Sequence, residues 1–179
     1  MKNKILLILT LIMIGNFSCE RDDICPETTP TTPRLIIDLH DFANQEDKKN
    51  VFDFRVQGVD NDKVLEGYNV IGATDDIILP LRTNTNSTQY KLHIDYAIND
   101  NGTPDVTSDD FIDGNEDIIT ISYSTEDVYV SRACGYKTIF KNVTLTIEPD
   151  TDNWIKLKES LIENQSIEDE TTTHFILYH

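Results

Sequence analysis

The chain has 179 residues, with 15 Lys and Arg against 32 Asp and Glu, for a formal net charge of −17 at pH 7. That balance excludes nucleic acid and anionic lipid as partners held by charge, and leaves a solvated surface, a cationic partner or a metal ion. The length is that of one domain, and a hydrophobic fraction of 39% is enough for a core.

The N-terminal stretch MKNKILLILTLIMIG places Lys2 and Lys4 before a mostly apolar run from Ile5 to Ile14. A spanning helix needs roughly 20 apolar residues, so residues 1–18 read as an export signal that is removed. Cys19 follows the small Ser18, as in the bacterial lipoprotein signal. There the cysteine sulfur takes a diacylglyceryl group, the chain is cut before it, and the new amine is acylated. Asn16 stands where an aliphatic residue is usual, and an ordinary signal followed by an incidental cysteine is the alternative. Two or three acyl chains, at about 0.8 kcal/mol per buried methylene, hold a protein on a membrane far more firmly than one. Cleavage removes two lysines and leaves 13 basic residues against 32 acidic ones, a net charge of −19.

With Cys19 assigned to lipid, Cys25 and Cys134 remain, an even pair in an exported chain and a candidate disulfide. It would close a loop of about 110 residues, for which the chain-entropy model gives on the order of 4–5 kcal/mol. Two buried free thiols are the alternative. Residues 26–33, PETTPTTP, read as a stiff spacer, so that residues 19–33 form a tether and 34–179 the folded body.

From there the dominant pattern has period two. Strands are predicted at 34–42, at 50–58 with Phe52, Phe54 and Val56 inward, and at 76–83. Another is predicted at 89–98, with Tyr90, Leu92, Ile94, Tyr96 and Ile98 inward. Further strands are predicted at 117–124, 127–140, 142–149 and 173–179, the last pairing with a short strand near 155–163. Eight or nine strands of this kind predict an all-β antiparallel sandwich, immunoglobulin-like or transthyretin-like.

From Ile94 to Ser131 there are ten acidic residues and no Lys or Arg. Within this region the fragment NDNGTPD resembles the calcium loops of thrombospondin-type repeats, which implies oxygen ligands from Asn99, Asn101, Asp105 and Asp109 with Gly102 at the sharp turn. Ala97 and Ser108 occupy positions where those repeats carry acids. The alternative is a solvated hairpin rich in turn formers. No cofactor is expected apart from calcium at this loop.

No nucleophile elbow, His-Glu-x-x-His, phosphate-binding glycine loop or Cys-x-x-Cys occurs in the sequence, so the chain reads as non-catalytic. His40, His93 and the pair His174 and His179 fall on three separate predicted strands, with His93 on a wet face and therefore exposed. The segment VYVSRACGYKTIF reads as a strand bent at Gly135, with Tyr136 packed inward and Arg132 paired with a carboxylate; a ligand-contacting basic patch is the alternative.

Taken together, CERDDIC, TPTTPRLII and SRACGYKTIF resemble a family of small Bacteroidetes lipoproteins of unknown function. The resemblance implies an exported, lipid-anchored β protein and supplies no activity. Within CERDDIC, Arg21, Asp22 and Asp23 look similar to the surface-export signal of lipoproteins in that phylum, with Arg where Lys is usual; a merely solvated spacer is the alternative. The resulting expectation is an outer-membrane lipoprotein, more at the cell surface than on the periplasmic face, that serves an envelope or extracellular partner without catalysis. A calcium-dependent module, with glycan as its ligand, is the alternative.

Overall fold

A computed structural model describes residues 24–61, 63–105 and 107–179 of the protein. Among these residues the chain forms nine strands and no helix. They are β1 (Leu35–His40), β2 (Val51–Gly58), β3 (Ile71–Thr74), β4 (Asp76–Leu79), β5 (Ser87–Asn99), β6 (Phe111–Ser131), β7 (Gly135–Ile147), β8 (Leu157–Ser160) and β9 (Phe175–Tyr178). One sheet has the order β4-β1-β9-β8 and the other β3-β2-β5-β6-β7. Every pairing is antiparallel except that of β1 with β9.

The two sheets close on one apolar core, which makes the fold a β-sandwich. Strand β1 shows why: Leu35, Ile37 and Leu39 are fully buried while Ile36, Asp38 and His40 turn outward. Opposite them, Leu92 of β5 and Ile119 and Ile121 of β6 are equally buried. The segment near 155–163 is extended as expected, and its strand β8 pairs with β9 from Leu157–Tyr178 to Ser160–Phe175.

Strict alternation breaks where the backbone becomes left-handed. Asp53 sits at φ +43°, and Val51 and Phe54, rather than Phe52, face the core. Phe52 is exposed. In β5 the residues Asp95 and Tyr96 stand against the single residue Gly114 of β6, a bulge with Asp95 at φ +52°. The extra residue reverses the faces beyond it. Tyr96, expected inward, packs instead beside His93 on the outer side, and Ile98 is exposed. A second bulge sets Asn142, at φ +54°, and Val143 against Tyr123.

The strands expected at 117–124 and 127–140 also divide differently. Strand β6 runs unbroken through 21 residues, and the turn after it falls at 132–134, so the 127–140 segment is two arms of a hairpin. Strand β7 likewise joins the second arm to the 142–149 segment. The short β3 was not marked by periodicity.

Gly114 is held by its bulge. It lies at φ +98°, and a Cβ there would stand 2.3 Å from the Ile94 carbonyl oxygen and 2.6 Å from that of Asp95. Gly114→Ala therefore combines a left-handed penalty with a backbone clash and is expected to cost about 2–4 kcal/mol, read as a lower midpoint in urea unfolding. An unchanged midpoint would show that the bulge relaxes freely.

Candidate functional site

The turn between β6 and β7 gathers the features that set this sandwich apart. The Cys134 N–H donates to Ser131 Oγ at 3.1 Å, and Gly135 takes φ +72° to start the return strand. Cys134 is bonded to Cys25, with S–S 2.05 Å and Cα–Cα 4.9 Å. From Cys25 onward the tether lies against the body and does not project as a spacer. Thr138 N–H donates to Thr32 Oγ1 at 3.1 Å, Pro33 is buried, and Arg34 meets Glu170 through its backbone N–H at 2.8 Å, Nε at 2.9 Å and Nη2 at 2.6 Å. The Arg34 guanidinium holds the Glu170 carboxyl below the usual carboxylate range.

Beside the disulfide lies a groove of about 560 Å³, lined by Ile24, Pro26 and Thr29 on the tether and by Tyr129 to Ala133 on the hairpin. Tyr129 and Tyr136 pair across the hairpin, ring centroids 5.5 Å apart in a T-shaped contact. Tyr136, expected inward, is exposed, because the hairpin end has run past the edge of the opposing sheet and has no core to face. Arg132 lines the groove, and Lys137 Nζ donates to the Glu168 carbonyl at 2.9 Å. Cys19, Arg21, Asp22 and Asp23 lie outside the described residues.

At the other end of β6 is the acidic loop, residues 100–110. Of its expected ligands, Asn99, Asn101 and Asp109 come close, and the turn itself takes up Asn99 Oδ1 and Asp109 Oδ2. Asn99 Oδ1 accepts the Asn101 N–H at 2.9 Å, Asp100 Oδ1 accepts the Gly102 N–H at 3.0 Å, and Asn99 Nδ2 donates to Asp113 Oδ2 at 2.9 Å. Asp109 Oδ2 accepts from Thr103 Oγ1 at 2.8 Å and from Asn101 Nδ2 at 3.5 Å. Its Oδ1 is buried without a hydrogen-bond partner, whereas Asp105 is exposed. Among the described residues no three His, Cys, Asp or Glu side chains form a group that would hold a metal.

Two polar centres escaped the sequence reading. On the outer face of the larger sheet, Arg55, His93 and Glu116 form a row across β2, β5 and β6. His93 Nε2 lies 2.6 Å from Glu116 Oε2, its ring meets Tyr96 edge-on at 5.4 Å, and Arg55 stacks on Tyr96 at 4.5 Å. His93 is therefore buried, although its strand face is the expected one, because its neighbours roof it over. Burial drives its pKa down despite Glu116. The second centre is Asp117, fully buried, whose Oδ1 accepts the Trp154 N–H at 3.1 Å and whose Oδ2 accepts the Ile155 N–H at 2.8 Å. Burial raises its carboxyl pKa against the opposing pull of these donors.

His174 is buried, and its Nδ1 accepts the Ile36 N–H at 2.9 Å, so the ring is neutral. Burial lowers its pKa, and also that of His179, whose Nε2 lies 3.1 Å from the Lys49 carbonyl.

These observations define a disulfide-closed β-sandwich carrying an exposed hairpin tip at one end and an acidic loop at the other. The chain belongs to the family of unknown function DUF6452, whose profile matches residues 53–179. No curated protein and no solved structure matches it.

Histidines with depressed folded-state pKa values make the unfolded chain the stronger proton binder just below the ordinary value of about 6.5, so their share of stability falls as pH drops through that range. His174→Asn keeps an acceptor for Ile36 and removes the titration. Between pH 7.5 and 5.5 the wild type is expected to lose more Tm, or gain less, than the variant. Each 1 kcal/mol of difference appears as about 2–4 °C in thermal melts. Identical pH slopes would rule out His174 as the source.

Proposed function

We propose that the protein is a lipid-anchored lipoprotein of the bacterial outer membrane, held by acylated Cys19 and displaying its sandwich to an envelope or extracellular partner without catalysis. The observation that carries the reading is the Cys25–Cys134 disulfide, a bond at home outside the cytosol, six residues after the expected lipid site. The N-terminal signal, with Ser18 before Cys19, supports the same reading, and the acidic run Asp22–Asp23 after Arg21 supports export to the surface. In a bacteroidete host, Cys19→Ala is expected to abolish labelling by palmitate and to release the protein from the membrane fraction. Protease added to intact cells is expected to digest the wild type. A variant still labelled and membrane-bound would overturn the anchor, and protection until lysis would place the domain in the periplasm.

A second reading, calcium binding for recognition of a glycan, is favoured by the buried, unpartnered Oδ1 of Asp109 in a loop rich in Asn and Asp oxygens. It predicts that millimolar calcium raises the Tm of the wild type and leaves the Asp105→Asn/Asp109→Asn double variant unmoved. A wild-type melt insensitive to calcium removes it.

A further inference from the structure

The tether and the hairpin meet at one point, and that point fixes how the domain can stand. Only five residues lie between Cys19 and Cys25, a reach of at most about 22 Å even when fully extended. Because Cys25 is bonded to Cys134, that reach ends on the turn of the β6–β7 hairpin and not at β1, where the body begins in sequence. We propose that the hairpin tip, with Tyr129 and Tyr136 beside Ile24, rests in the headgroup layer of the membrane that carries Cys19. The acidic loop 100–110 is then held at the far end of the domain. The inference rests on the lipid anchor proposed above.

Three features of the tip fit this surface. Ile24, Tyr129 and Tyr136 are 80%, 59% and 68% exposed, an apolar cluster at the one place where the chain is tied close to the lipid. Tyrosine, with an apolar ring and a polar hydroxyl, suits a layer that is greasy on one side and wet on the other. The charge agrees as well. From Val128 to Lys137 the chain carries Arg132 and Lys137 and no acid, so the tip is a segment that the negative headgroups repel least in a strongly acidic molecule. The 21 residues of β6 then carry the chain outward by up to roughly 65 Å, less whatever twist removes.

The test uses the full lipidated protein in phosphatidylcholine vesicles, with or without bromine on the acyl chains. The chain has one tryptophan, the buried Trp154, which supplies the background. Tyr136→Trp is expected to lose emission in the brominated vesicles, while the wild type and Phe111→Trp, whose reporter sits beside the acidic loop, keep theirs. Flotation with the vesicles is scored in parallel. Protein that floats through Cys19 but shows no quenching of Tyr136→Trp overturns the tip contact and leaves the anchor standing. Equal quenching of Phe111→Trp overturns the upright stance. Protein that does not float overturns both the anchor and the contact.

Discussion

One buried carboxylate governs how the two sheets are joined. The chain leaves β7 in the larger sheet and must reach β8 in the smaller one, and it crosses at Trp154 and Ile155. Both of their backbone N–H groups would be stranded in the core at the crossing. Asp117 takes them both, one on each oxygen. An unpaired buried N–H costs about 1–3 kcal/mol, so the two bonds offset a penalty that no apolar residue at 117 could meet. They also fix Trp154, whose indole donates to the Leu92 carbonyl at 3.1 Å and packs edge-on against Phe54 and His179. From this point β8 follows, then β9 beside it, and β1 receives β9 as its parallel neighbour. The smaller sheet is thus assembled against a reference point in the middle of the larger one.

The alternating pattern was legible wherever the backbone stays extended. Leu35, Ile37 and Leu39 bury as alternation demands, and so do Tyr90 and Leu92. Its failures share one physical cause, a residue in the left-handed region, where the next side chain changes face. Asp53, Asp95 and Asn142 occupy those positions, and Asp and Asn are the residue types that tolerate them best. The composition marks where such an event is permitted, but periodicity alone cannot say that it happens. Beyond the sandwich edge a different limit applies. At 124–131 neither face has a core, so the polar Thr125 and Glu126 continue the strand and read as a break in the sequence.

For the candidate site, the cysteine pairing followed from counting thiols in a chain expected to be exported, because an even pair outside the cytosol has few other fates. Its placement at the tip of a hairpin did not follow, since that depends on where β6 turns. His93 carries the same lesson. Its face was correct by alternation, but its burial is set by Arg55 on one neighbouring strand, Glu116 on the other and Tyr96 past the bulge, and strand pairing is invisible to a single-sequence pattern. Asp117 was hidden for the opposite reason. It sits among ten acids between Ile94 and Ser131, where one more carboxylate carries no signal.

The Cys25–Cys134 bond closes a covalent ring that takes in β1 to β6 and the whole acidic loop. A protease that cuts once anywhere in that ring opens a circle without dividing the molecule. Both halves stay linked through sulfur, and the C-terminal half, with β7 to β9, keeps its attachment to the N-terminal chain. A damaged copy therefore remains a single covalent particle until a reductant reaches it, and the exposed acidic loop can be nicked without either half being lost.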